Sequence, residues 1–76
     1  MKELILVLTR SLVDDPSQVS VEEVAGDRGD VVYEIRVASG DMGKIIGRQG
    51  RVIKAVRTVV KAAAIRTGKR VSVEVV

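Results

Sequence analysis

The sequence contains no cysteine, no histidine, no tryptophan and no phenylalanine, and Tyr33 is the only aromatic among its 76 residues. Each absence removes a class of chemistry. Without cysteine there is no disulfide and no thiolate metal site, which fits a reducing cytoplasm. Without histidine the commonest general base and the commonest metal ligand are both gone. Acid-base catalysis would fall to carboxylates, and Asp41 is the only acid near the glycine-rich stretch described below, so no catalytic residue, metal or cofactor is expected. A single ring largely excludes recognition of bases by stacking. Long apolar runs are missing too. Leu4-Ile5-Leu6-Val7-Leu8 is the longest, far below the roughly 20 residues that cross a bilayer. It also lacks the length and cleavage site of a signal peptide, so a cytoplasmic protein with no membrane partner is expected.

What is present divides unevenly. Residues 1–41 hold 4 basic and 9 acidic side chains, whereas residues 42–73 hold 9 basic and none that is acidic. The net charge of +3 conceals this split. A block of one sign makes a local field that a balanced mixture cannot, and its natural counterpart is a phosphate backbone. A merely solubilising basic face usually carries interspersed acids.

At this length the chain is expected to fold as one domain, residues 1–76. Leu4, Ile5, Leu8 and Leu12 share one face of a helix, which Asp14-Asp15-Pro16 terminates. Leu6 and Val13 then point the other way. Either a neighbouring element covers them or they form an apolar spot for a partner. Val19-Ser20-Val21 opens a strand, and Glu22-Glu23-Val24 breaks its alternation through a bulge or an edge position. Residues 26–30 are dense in turn formers and predict a hairpin into a second strand, where Val31, Tyr33, Ile35 and Val37 alternate with Val32, Glu34 and Arg36. Ser39-Gly40-Asp41 offers capping chemistry for a short helix over residues 42–46. From Arg51 a longer helix follows, with Val52, Ile53, Val56, Val59, Val60 and Ala63 as its apolar arc. Thr67-Gly68 closes it, and Val71, Val73 and Val75 mark a last strand. A helical crossover joins parallel strands. The expected architecture is therefore α+β in the order αββααβ, a three-stranded mixed sheet covered on one face by three helices.

Between the last two helices lies Gly47-Arg48-Gln49-Gly50. A dinucleotide fingerprint would need glycine at Ile45, and a P-loop would need an earlier glycine and a hydroxyl that this stretch lacks. The pair instead lets the backbone turn sharply with no Cβ to hold off a ligand. It leads into the amides at the start of the next helix, which attract anions. Arg48, Arg51 and Lys54 add positive charge there.

The run Ile45-Ile46-Gly47-Arg48-Gln49-Gly50-Arg51-Val52-Ile53 resembles the signature of the KH domain: an apolar pair, G-x-x-G, two residues, then isoleucine. With the αββααβ order the resemblance is to type II KH domains over essentially the whole chain. It is similar to the small stand-alone bacterial KH proteins of the KhpA (YlqC-type) family. The resemblance implies a groove for about four nucleotides of single-stranded RNA, its backbone clamped by the loop. It also implies pairing as a homodimer or as a heterodimer with a KhpB-type KH protein, and neither enzymatic activity nor a small-molecule substrate. Family members are linked to RNA chaperone behaviour, post-transcriptional regulation and control of cell length and cell-wall synthesis. The expected RNA-binding residues are Lys44, Ile45, Gly47, Arg48, Gln49, Gly50, Arg51 and Lys54. Of these, Lys44, Arg48, Gln49 and Arg51 are expected to touch phosphates or base edges, and Ile45 is the isoleucine left to line the groove. Ile46 and Ile53 are expected in the core, Asp41 as a helix cap and Lys61 as a solvated charge. Arg57 sits at the boundary, while Lys69 and Arg70 are either a charged turn or the border of the groove.

Overall fold

The N-terminal apolar stripe winds into helix α1 (Lys2–Leu12) in the computed structural model, which describes residues 1–76. A 3₁₀ turn at Pro16–Gln18 leads into β1 (Ser20–Ala25), and the hairpin returns as β2 (Val31–Arg36). Helices α2 (Met42–Ile46) and α3 (Arg51–Ile65) then cross back to β3 (Val71–Val75). The sheet order is β1-β2-β3, antiparallel then parallel. The fold is thus α+β with the expected αββααβ order, and the parallel pair is the one spanned by the helical crossover.

One face of the sheet meets the helices. Val21, Tyr33, Ile35 and Val73 from the strands join Ile5 of α1, Ile45 of α2, and Ile53, Val56 and Val60 of α3 in a single cluster. Fully burying an aliphatic side chain of this size stabilises by about 1.5–3 kcal/mol, so this packed layer dominates the cohesion of so short a chain.

The helical stripes are rotated from their expected positions. On α1 the buried residues are Ile5 and Thr9, with Leu6 and Val13 packed against the core, while Val7 is 61% and Leu12 39% exposed. Leu6 and Val13 are therefore covered, and Leu12 is not. Met1, Ile5, Thr9 and Val13 repeat every four residues, and the polar character of Thr9 hid the centre of that stripe. On α3 the buried line is Ile53, Val56, Val60 and Ala64. Val59 lies at the rim, 45% exposed, and Ala64 rather than Ala63 is the deeper alanine.

The break in alternation in β1 comes from its edge position. Its pairing with β2 runs without interruption from Ser20↔Arg36 to Ala25↔Val31, so no bulge is present. Glu23, on the helix-facing side opposite Tyr33, accepts a hydrogen bond from the Tyr33 hydroxyl at 2.8 Å. On the opposite, uncovered face, Glu22, Glu34 and Glu74 stand side by side across all three strands. Like charges directly opposite one another are unfavourable. Here they gather acidity on the side of the sheet away from the basic helices.

Candidate nucleic-acid interface

Helix α2 ends where Gly47 leaves the helical conformation, at φ +75° and ψ 172°, with its amide bonded to the Gly43 carbonyl at 2.8 Å. A Cβ on Gly47 would overlap the side chain and amide of Val52, and the positive φ would strain it further. Gln49 (φ 58°) and Gly50 (φ 72°) are both left-handed, so the chain reverses within three residues and enters α3 at Arg51. Gln49 is the only residue other than glycine with positive φ in the structure. A side chain in that region costs on the order of 1–3 kcal/mol, which glycine there would avoid. The Gly50 amide closes the turn on the Gly47 carbonyl at 3.1 Å.

The loop therefore carries Arg48 and Gln49 outward, both exposed, at the start of a 15-residue helix that has no side-chain cap and no acid in its first turn. Uncapped first-turn amides and the helix dipole favour an anion there. Arg51 stands beside the loop, one guanidinium nitrogen 3.5 Å from Gln49 Oε1, and Lys54 follows one turn on, exposed. Gly47, Arg48, Gln49, Gly50, Arg51 and Lys54 thus come together as expected.

Two residues of the expected set are placed differently. Ile45 is 1% exposed in the core, whereas Ile46 is 40% exposed. Their burial is the reverse of that expected, because the face of a five-residue helix cannot be phased from so short a run. Lys44 is committed to carboxylates: its ammonium bonds Asp14 and stands 3.9 Å from Asp41 Oδ1. The hydrogen bond to Asp14, reinforced by the charges of Asp14 and Asp41, holds the Lys44 pKa above the usual lysine value. The pair is open to solvent, so it contributes little to stability.

Asp41 stands at the N-cap position of α2, but its side chain makes no capping hydrogen bond there. It is 3% exposed and accepts the backbone amides of Asp14 and Asp15 at 3.1 and 3.0 Å. A buried carboxylate satisfied this way ties the loop after α1 to the N-terminal end of α2. No local pattern announces a bond across 27 residues.

Beyond the loop, α3 carries Lys54, Arg57 and Lys61 along one flank. Arg57 Nε donates to the Val73 carbonyl at 3.0 Å, which ties that flank to β3, an edge strand of the sheet. Lys61, Lys69 and Arg70, left open or assigned to solvent from the sequence, line one recess together with Arg28 of the hairpin. On its other side α3 forms a largely apolar groove with α1, made by Leu8 and Leu12 against Val52, Ala55 and Val59, with Arg51 as its one charged residue. No helix is long and apolar enough to cross a membrane.

An αββααβ fold whose two central helices are joined by a G-x-x-G turn of this geometry defines a type II KH domain. Residues 2–75 match the family described as "KhpA/KhpB, KH domain". The chain is 53% identical to the RNA-binding protein KhpA of Clostridium perfringens and 51% identical to that of Clostridium acetobutylicum, in both cases over the full length of both chains. It is 45% identical to the RNA-binding protein KhpA of Chlamydia trachomatis over 99% of this chain and 95% of that one. The chain belongs to the KhpA/KhpB family of KH domains.

Proposed function

We propose that this protein binds single-stranded RNA, holding the backbone of about four nucleotides against the 47–50 loop. The observation that carries the reading is the loop itself: a glycine turn that pushes Arg48 and Gln49 outward over an uncapped helix start. The acid-free block of residues 42–73 supplies the field, and relatives at about half identity are named RNA-binding proteins. Phosphates dock on the loop and first-turn amides, with Arg48, Arg51 and Lys54 as mobile cations, while bases lie across aliphatic surface that includes the exposed Ile46. Lys44 contributes after exchanging Asp14 for phosphate. With no aromatic to stack on, a single groove binds weakly and with modest sequence preference, so pairing adds avidity.

The apolar groove between α1 and α3 is the surface that best suits such pairing with a second KH domain, its own copy or a KhpB-type protein. In the cytoplasm the pair would serve as an RNA chaperone or post-transcriptional regulator, with the role in cell length and cell-wall homeostasis that the family resemblance implies. Replacing Arg48 and Gln49 with aspartate sets two negative charges against the phosphates and should abolish crosslinking to RNA in cells. Crosslinking that persists in the folded R48D/Q49D protein would overturn the clamp.

A further inference from the structure

The sheet is covered on one face only, and its open face breaks a rule of strand pairing. Glu22 stands directly opposite Glu34, and Glu34 directly beside Glu74. Like charges so placed destabilise a sheet. Nothing offsets that cost here, because the ion pairs in the structure are all made by Lys44. Glu22 and Glu74 are exposed, and Glu34 is half-buried between them. Local rules are broken most often where a surface does something other than hold the fold. Neighbouring strands lie about 4.8 Å apart, so the three carboxylates form a stripe about 10 Å long across the sheet.

A stripe of cations with the same dimensions lies elsewhere on the chain. Lys54, Arg57 and Lys61 are exposed on one flank of α3 and fall within an arc of about 60°. Lys54 and Lys61 are about 10.5 Å apart along the helix axis, with Arg57 between them. None of the three pairs with a carboxylate, and the only bond of the Arg57 side chain is to the Val73 carbonyl. The cations flank the helical layer and the glutamates line the opposite face of the sheet, so one molecule cannot join its own two stripes. Two molecules can. We infer that the open face of the sheet docks a second copy of this chain, with α3 of that copy laid across the strands and its cation stripe over Glu22, Glu34 and Glu74. Different patches meet, so the contact is heterologous, and each copy is left with a free stripe from which further copies can grow. The groove between α1 and α3 takes no part in it. Carboxylates then stand where phosphates would on that flank, so RNA and a second copy exclude one another. Only this exclusion rests on the RNA-binding reading above; the docking rests on the two stripes.

Exposed ion pairs are weak singly and stronger as a network, and salt screens them. The Debye length is about 30 Å at 0.01 M salt and about 3 Å at 1 M. Mass is followed by light scattering across concentration at both salts, in chains that all carry Val59→Lys so that the apolar flank stays out of play. The parent should climb past two copies at low salt and return to the monomer at high salt. Folded E22Q/E34Q/E74Q and folded K54Q/K61Q should each stay monomeric at low salt. Mixed, they should regain a salt-sensitive complex that stops at two copies, because each supplies the stripe that the other lacks. E3Q/D15N/D27N, which removes equal acidity elsewhere, should grow as the parent does. Growth that survives E22Q/E34Q/E74Q, a mixture that stays monomeric, or an equal loss in E3Q/D15N/D27N would overturn the docking. A protein that binds a short oligolysine through these glutamates yet never self-associates takes another cationic partner there, and the second copy falls equally. A tetranucleotide should dissolve the low-salt complex of the parent. One that binds without dissolving it would put the second copy on other cations and overturn the docking. One that fails to bind while the mixture still pairs removes the RNA-binding reading and leaves the docking standing.

Discussion

Helix α3 has two flanks that differ in everything except their backbone. One carries Lys54, Arg57 and Lys61, with Arg57 bonded to the edge of β3; the other presents Val52, Ala55 and Val59 toward Leu8 and Leu12 of α1. Between them runs the buried line Ile53, Val56, Val60 and Ala64. That line faces the sheet and fixes the roll of the helix, so each flank is held to its own side. The lesson is one of segregation. A polyanion and an apolar partner can meet the same helix on different flanks, which come together only at Arg51, and the row of glutamates on the uncovered face of the sheet offers nothing to the polyanion.

The comparison is most severely tested where both flanks begin. Val52, the first apolar-flank residue, fills the space that a Cβ on Gly47 would need, and Gly47 opens the glycine turn. Gly47→Ala should therefore cost about 1–3 kcal/mol, a large part of the roughly 4–11 kcal/mol expected of a chain this long. Denaturant unfolding reads the loss, and RNA affinity and pairing should both weaken. A variant as stable as wild type would mean that the clamp and the apolar flank are not mechanically joined.

A smaller effect separates the flanks. Val59→Lys places a charge in the apolar groove, yet Val59 is 45% exposed, so monomer stability should change by no more than about 0.5 kcal/mol. Light scattering across concentration should show pairing abolished, with tetranucleotide affinity retained. Lys54→Gln should do the reverse, keeping pairing and lowering the RNA salt slope by about 0.7. If either substitution moved both properties, the two flanks would be a single site.

How much of this was legible in the sequence depends on the range of the interaction. The αββααβ order, the hairpin, the glycine turn and the cationic block are local patterns, and all are present where the residues predict them. The phase of each helix was less legible, because burial depends on which neighbour arrives. Thr9 sits in the core beside Ile5, Leu12 protrudes, and Ile45 and Ile46 trade places. Interactions of longer range were not legible at all. Asp41 reaches the amides of Asp14 and Asp15 instead of its own helix, and Arg28 joins Lys61, Lys69 and Arg70 only because two turns meet at one end of the sheet.

The finest test needs a reporter that is independent of both flanks, and the protein has one. Tyr33 lies on the helix-facing side of β2, 5% exposed, and its hydroxyl donates to Glu23. Burial first, then the hydrogen bond to Glu23 and the charge of that carboxylate, push its pKa up to about 12. The unfolded chain would titrate near 10. The phenol in the folded state thus keeps its proton longer, so this contribution to stability is complete below pH 10 and is lost as the pH rises toward 12. As the only tyrosine, with no tryptophan present, it gives a single phenolate absorbance signal. Glu23→Gln should lower the midpoint, though not to the unfolded value, since burial remains. Val59→Lys and Lys54→Gln should leave it where wild type has it. A midpoint near 10 in Val59→Lys, the unfolded value, would show that the apolar flank supports the sheet itself, and its separation from the cationic flank would then be one of fold rather than of function.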